Sequence, residues 1–240
     1  MVTVLTVLVA AAYVVAAIVC VLDRSLRPPL LLMAGTITTV LEPLWGRLLG
    51  IGPFVPGDIL RVGTTYTVPI WTLLGGGVLL ALPPLVIAYG LRHHWWVQHY
   101  AVAWVFFISF VLFFLFVMVL ESRWGVMFFA RPQLPRSGLP ETLLQAFLLA
   151  GISYGILYTF VATRHYALRI AFVSLLASGL AASVLLLGIL CSPFWVARLL
   201  HQRDQIVLLG AGVSVLLVVW AIHLLASGLH EGRRQHLQWR

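Results

Sequence analysis

The chain has 240 residues, of which 62% are hydrophobic and only 9% charged. A soluble domain carries about 25% charged residues. This chain therefore lacks the polar surface needed to dissolve, which also excludes a disordered chain, a nucleic-acid-binding domain and a disulfide scaffold. The net charge of +8 lies between apolar runs, where it directs membrane topology rather than recruiting nucleic acid. All 15 cations are arginine. The lack of lysine excludes a retinal Schiff base and a Walker-type phosphate loop. The two cysteines, Cys20 and Cys191, form neither a CxxC pair nor a metal site. They fall near opposite membrane faces, which argues against a disulfide.

An apolar run of about 20 residues crosses a ~30 Å hydrocarbon core as a helix. Seven such runs follow in chain order: 2–22, 29–49, 68–90, 98–120, 142–163, 170–191 and 205–226. The expected fold is all-α, a polytopic membrane protein of about seven transmembrane helices in one bundle and one domain, 1–240. The first run has no positive n-region and exceeds a signal-peptide h-region, so it reads as a retained span. The second holds Glu42, Pro43 and Arg47, and fits either a kinked span or a re-entrant segment. Seven spans place the termini on opposite sides of the membrane. Eight arginines fall on the side of the C-terminal tail and seven on the other. With the shorter loops on the tail side, the expected orientation in a bacterial cell membrane is N-terminus outside and C-terminus cytoplasmic.

A second asymmetry does not depend on orientation. Glu42, Asp58, Glu121, Glu141 and Asp204 fall on the face opposite the tail, and every histidine except His201 falls on the tail face. The acid-rich face also has the two long loops, 50–67 and 121–141, where a helical bundle builds a pocket mouth.

Glu42 lies in the apolar sequence TITTVLEPLWG. An ionisable group at membrane depth is costly unless it faces the bundle interior or water. Gly35, Thr38, Thr39 and Trp45 share its stripe, small and polar enough for a cavity wall, with Trp45 against a substrate. Desolvation favours the protonated carboxyl, a proton donor. The alternative is an ion pair with Arg47 or Arg61. Glu121 closes the fourth span before Ser122-Arg123-Trp124. It is either the partner base of Glu42 or a helix-end charge paired with Arg123.

Asp58 in FVPGDILRVG is a substrate contact or a turn residue, and Glu141 suits the dipole of the fifth helix. Trp71 opens the third span, where Gly75-Gly76-Gly77 permits close helix contact. In the fifth span Gly151 and Gly155 have the small-xxx-small spacing that brings helices together. Tyr154 and Tyr158, four apart on one face, either line a cavity or fill the core. Their π faces, with Trp71, suit a cationic intermediate. His223, inside the seventh span, is either a proton relay or a hydrogen-bonded core residue. No metal site and no cofactor motif is read; His93-His94 and His99 have no accompanying carboxylate.

The order of these features resembles the AveC-like spirocyclase family of bacterial membrane proteins. The likeness rests on Glu42-Pro43 ending the second span, the glycine loop from Gly63 into Pro69-Ile70-Trp71, Glu121 closing the fourth span, Gly125, and a proline-rich loop into the fifth span. It covers residues 35–160. Where that family has an acid-Pro-x-x-acid spacing, Glu141 here directly follows Pro140. The resemblance implies closure of a hydroxy-ketone polyketide to a spiroketal, with loss of water.

The expected function is a cofactor-independent cyclase, dehydratase or isomerase acting on an apolar polyketide- or isoprenoid-like molecule. Glu42 is the acid and Glu121 the base or orienter; Trp45, Asp58, Trp71, Tyr154 and Tyr158 contact substrate. The expected partners are that small molecule and membrane lipid, with no nucleic acid. Two alternatives stand beside it, a small-solute or proton-coupled transporter and a non-catalytic membrane subunit.

Overall fold

The computed structural model describes residues 2–23, 25–39, 59–62, 66–92, 99–124, 139–164, 166–200 and 204–238. Helices dominate them: α1 (Val2–Asp23), α2 (Arg27–Thr38), α3 (Ile70–Arg92), α4 (Tyr100–Trp124), α5 (Leu139–Ala162), α6 (Leu168–Ser183), α7 (Ser192–Leu199) and α8 (Asp204–Gln238). Between α2 and α3 a small ribbon pairs β1 (Ile59–Val62) with β2 (Tyr66–Pro69), antiparallel, with Ile59 opposite Pro69 and Val62 opposite Tyr66. The β-branched Ile59, Val62, Thr67 and Val68 suit this pairing. The sequence placed loop at 50–67 and began the third span at 68; residues 66–69 are instead strand, and the helix starts at Ile70.

Among the described residues, five helices are long and apolar enough to cross a membrane, over Leu74–Leu91, Tyr100–Leu120, Thr142–Ala162, Leu168–Leu190 and Asp204–Gly228. The chain thus has the build of an integral membrane protein. Of the first expected span, the apolar stretch among described side chains is Val9–Val21, shorter than the other five. Of the second, only the part up to Thr39 lies within the described residues. The outward faces are as greasy as the core: Phe116 on α4, Val173 on α6 and Leu216 on α8 are all exposed. A helix that is hydrophobic all round is a core helix or a membrane span.

α5 is the central helix, with 61% of its spanning stretch buried against 28% in both α6 and α8. It packs on α2, α3, α4, α6 and α8. Glycines set these contacts. A Cβ at Gly77 of α3 would run into the Thr36 backbone of α2, and one at Gly35 into the Gly77 carbonyl. At Gly151 and Gly155 of α5 it would press on Leu186 and Ala182, so the small-xxx-small pair seats α5 against the chain of α6. Hydrophobic attraction between helices is absent in lipid, so this close backbone fit has to hold the bundle together.

The sixth span is not α-helical throughout. After Ser183 it continues as a π-helix over Val184–Leu190, closed by the Cys191 N–H donating to the Leu186 carbonyl at 3.1 Å. Pro193 then sits in the first turn of α7, where its missing N–H costs nothing. The sequence reading treated 192–204 as loop and did not anticipate this short helix. α7 packs back on α8, with the Pro193 carbonyl 2.7 Å from where a Cβ at Gly210 would lie. Cys20 and Cys191 are both free thiols.

Candidate functional site

Tyr154 lies near the middle of α5 and is completely buried. Phe107 and Phe110, one turn apart on α4, meet its ring edge-on at centroid distances of 6.0 and 6.4 Å. Phe107 also contacts Phe147 on α5 and Trp104 on α4, at 5.8 and 6.1 Å. The result is an aromatic box in the middle of the bundle. Within it the Tyr154 hydroxyl has no hydrogen-bond partner among the described residues. Such a group is costly in hydrocarbon, where no bulk water can serve it. The other buried hydroxyl without a well-placed partner, Ser214, lies beside the Cys191 thiol, itself a weak acceptor.

Tyr158, one turn further along α5, turns its hydroxyl to α8, where a Cβ at Gly228 would lie 2.9 Å from that oxygen. The two tyrosines therefore serve different neighbours, α4 and α8. A third tyrosine, not singled out in the sequence, joins those two helices. The Tyr100 hydroxyl is 2.7 Å from Nδ1 of His223, with the rings edge to face at 5.8 Å. Tyr100 also contacts Trp104 at 6.4 Å, which links this pair through Phe107 to the box around Tyr154. No local signal relates Tyr100 to His223 across 123 residues.

Ser153, also fully buried, donates from Oγ to the Leu80 carbonyl of α3 at 2.8 Å. That carbonyl is the one Pro84 leaves unpaired, since proline has no N–H to give to the residue four before it. A buried serine on the central helix replaces the missing bond.

The remaining expected site residues fall mostly beyond this view. Glu42, Trp45 and Asp58 lie outside the described residues. Glu121 lies in the last turn of α4, Trp71 in the first turn of α3 and Glu141 in the first turn of α5, all with side chains outside the described part. Of the stripe leading to Glu42, Gly35, Thr38 and Thr39 lie within the described residues. Gly35 lies against Gly77. Thr38 bonds to the Ala34 carbonyl at 2.7 Å and fills the space over Gly179 of α6. Small residues here bring helices together. α2 and α4 both pack on α5.

A shallow groove of about 550 Å³ runs between α7 and α8, walled by Pro193, Val196, Leu200, Ile206, Leu209 and Val213. It contains none of the expected site residues. Among the described residues no group of three or more histidine, cysteine or acidic side chains could hold a metal ion. No family model, curated protein or solved structure matches the chain.

Proposed function

We propose that this chain is an intramembrane enzyme, a cofactor-independent cyclase or dehydratase, acting on an apolar polyketide- or isoprenoid-like molecule. The observation that carries the reading is the unpartnered Tyr154 hydroxyl inside the Phe107–Phe110 box. Aromatic faces stabilise a cationic intermediate, and a lone phenol donates to one substrate oxygen. Glu42 supplies the proton and Glu121 accepts it, both from the acid-rich face read in the sequence. Trp45, Asp58, Trp71 and Tyr158 complete the contacts. The full architecture in this reading has seven spans, with the N-terminus outside and the C-terminus cytoplasmic in a bacterial membrane.

Ring closure of a dihydroxyketone to a spiroketal, as in AveC-like spirocyclases, needs a proton donor and acceptor only. Both hydroxyls add to the one carbonyl carbon, and its oxygen leaves as water. General acid–base help of this kind is worth about 10²–10⁴-fold. Membranes containing the protein, given a long-chain dihydroxyketone, should form the spiroketal faster than membranes without it. Glu42→Gln should abolish that gain, and Tyr154→Phe should reduce it. Equal turnover by wild type and Glu42→Gln overturns the assignment.

The Tyr100–His223 hydrogen bond favours one other reading, proton-coupled transport with His223 as relay. Solute uptake by proteoliposomes that dissipates a proton gradient, lost in His223→Gln, would select it.

A further inference from the structure

The helical hydrogen-bond ladder is interrupted in two of the spans, and both interruptions lie against the same turn of α5. In α3, Pro83 and Pro84 release the Leu79 and Leu80 carbonyls. Leu80 is taken up by Ser153. In the sixth span the ladder widens at Val184–Leu190, and Leu186 of that segment rests on Gly151. The widened segment has its own side-chain bond, from Trp195 Nε1 of α7 to the Leu187 carbonyl at 2.7 Å. Gly151 and Ser153 are two residues apart, so α3 loses ladder bonds and the sixth span widens where each meets the middle of the central helix. Sharp helix bends occur at prolines and at π segments, and irregular backbone is tolerated at membrane depth only where protein encloses it.

We propose that this level is a hinge. On the acid-rich side of it, Ile70–Leu79 of α3 and the π segment with α7 form a mobile half. The tail-side halves of α3 and α6 stay packed on α5 and α2. The Ser153–Leu80 bond and the seat of Gly77 on Thr36 are the catches that hold the mobile half closed, and the Trp195–Leu187 bond ties α7 to the π segment within it. β2 runs directly into α3 at Ile70, so the ribbon moves with it. The hinge is independent of the chemistry proposed for Tyr154 and would serve an enzyme or a transporter equally.

Hydrogen exchange read by mass spectrometry on the whole protein in lipid nanodiscs tests the hinge. Ser153→Ala should speed exchange at the amides of 74–82, which bond within or across into the mobile half, by about tenfold, the effect of losing one ordinary hydrogen bond. Ser153→Thr, which keeps a hydroxyl, should restore it. Trp195→Phe should do the same at 184–195, and in both variants the amides of Tyr100–Leu120 on α4 should be unchanged. Pro84→Ala gives the Leu80 carbonyl a backbone donor and should slow exchange at 74–82; this arm remains if the serine variant fails to fold. Unaltered exchange in Ser153→Ala and Pro84→Ala, or an equal rise in every helix, overturns the hinge.

Discussion

An unmet hydroxyl at the centre of a membrane bundle sets binding against stability. Removing it in Tyr154→Phe keeps the ring contacts with Phe107 and Phe110 and removes an uncompensated polar atom. The folded protein should gain about 1–3 kcal/mol in denaturant titration in micelles, while turnover falls. Residues that hold a fold lose both on substitution, so a gain in stability with a loss in rate would mark Tyr154 as a ligand contact. The glycines make the opposite contrast. Gly77→Ala should cost about 1–3 kcal/mol by forcing α3 off the Thr36 backbone. At Gly212 nothing lies within 4 Å of an added Cβ, and Gly212→Ala should stabilise α8 by up to about 1 kcal/mol, read in the same titration. Glycine spacing announced the role of Gly151 and Gly155 in the sequence. The importance of Gly77 came through as one of three consecutive glycines, without showing which of them touches α2.

At the scale of elements, the runs over 68–90, 98–120, 142–163 and 205–226 match α3, α4, α5 and the spanning part of α8 closely, because sustained apolarity over about 20 residues has one cheap solution in lipid. α7 escaped because SPFWVARL is short and carries its proline inside the first turn; the structure packs it on α8 at Gly210. The π segment could not be read at all. VLLLGIL is equally apolar in either ladder, and what distinguishes them is Leu186 settling on Gly151. The aromatic box was hidden for a related reason. α4 is uniformly apolar, so nothing in its pattern tells Phe107 and Phe110, which face Tyr154, from Phe116, which faces outward. Gly210→Leu should detach α7 from α8, costing about 1–3 kcal/mol and raising the accessibility of a thiol placed at Val213 on the groove wall.

For the whole molecule, the order of spans fixes which loops share a side. His99, ahead of α4, and Arg164, between α5 and α6, belong with the C-terminal tail; Arg123 and Leu200 belong to the other side. Single cysteines at His99 and Arg164 should react with an impermeant maleimide from one face of sealed vesicles, and those at Arg123 and Leu200 from the opposite one. Labelling of His99 and Arg123 from the same side would contradict this threading. The acid-rich face was legible as a charge pattern, but its carboxyls at Glu42, Asp58 and Glu121 belong to segments whose side chains are not described, so the sequence remains the better guide to them.

The uneven burial of the spans has a consequence for how freely the chain can vary. Acyl chains offer a leucine surroundings much like those of a neighbouring helix, so outward positions such as Val173, Leu216 and Leu224 are interchangeable among apolar types. α5, touched on every flank, has no such freedom. Saturation mutagenesis scored by survival would then trace a steep gradient of tolerance, strictest along Gly151–Tyr154 and relaxing outward to the rims of α6 and α8. That gradient would single out the middle helix without any knowledge of what the molecule does.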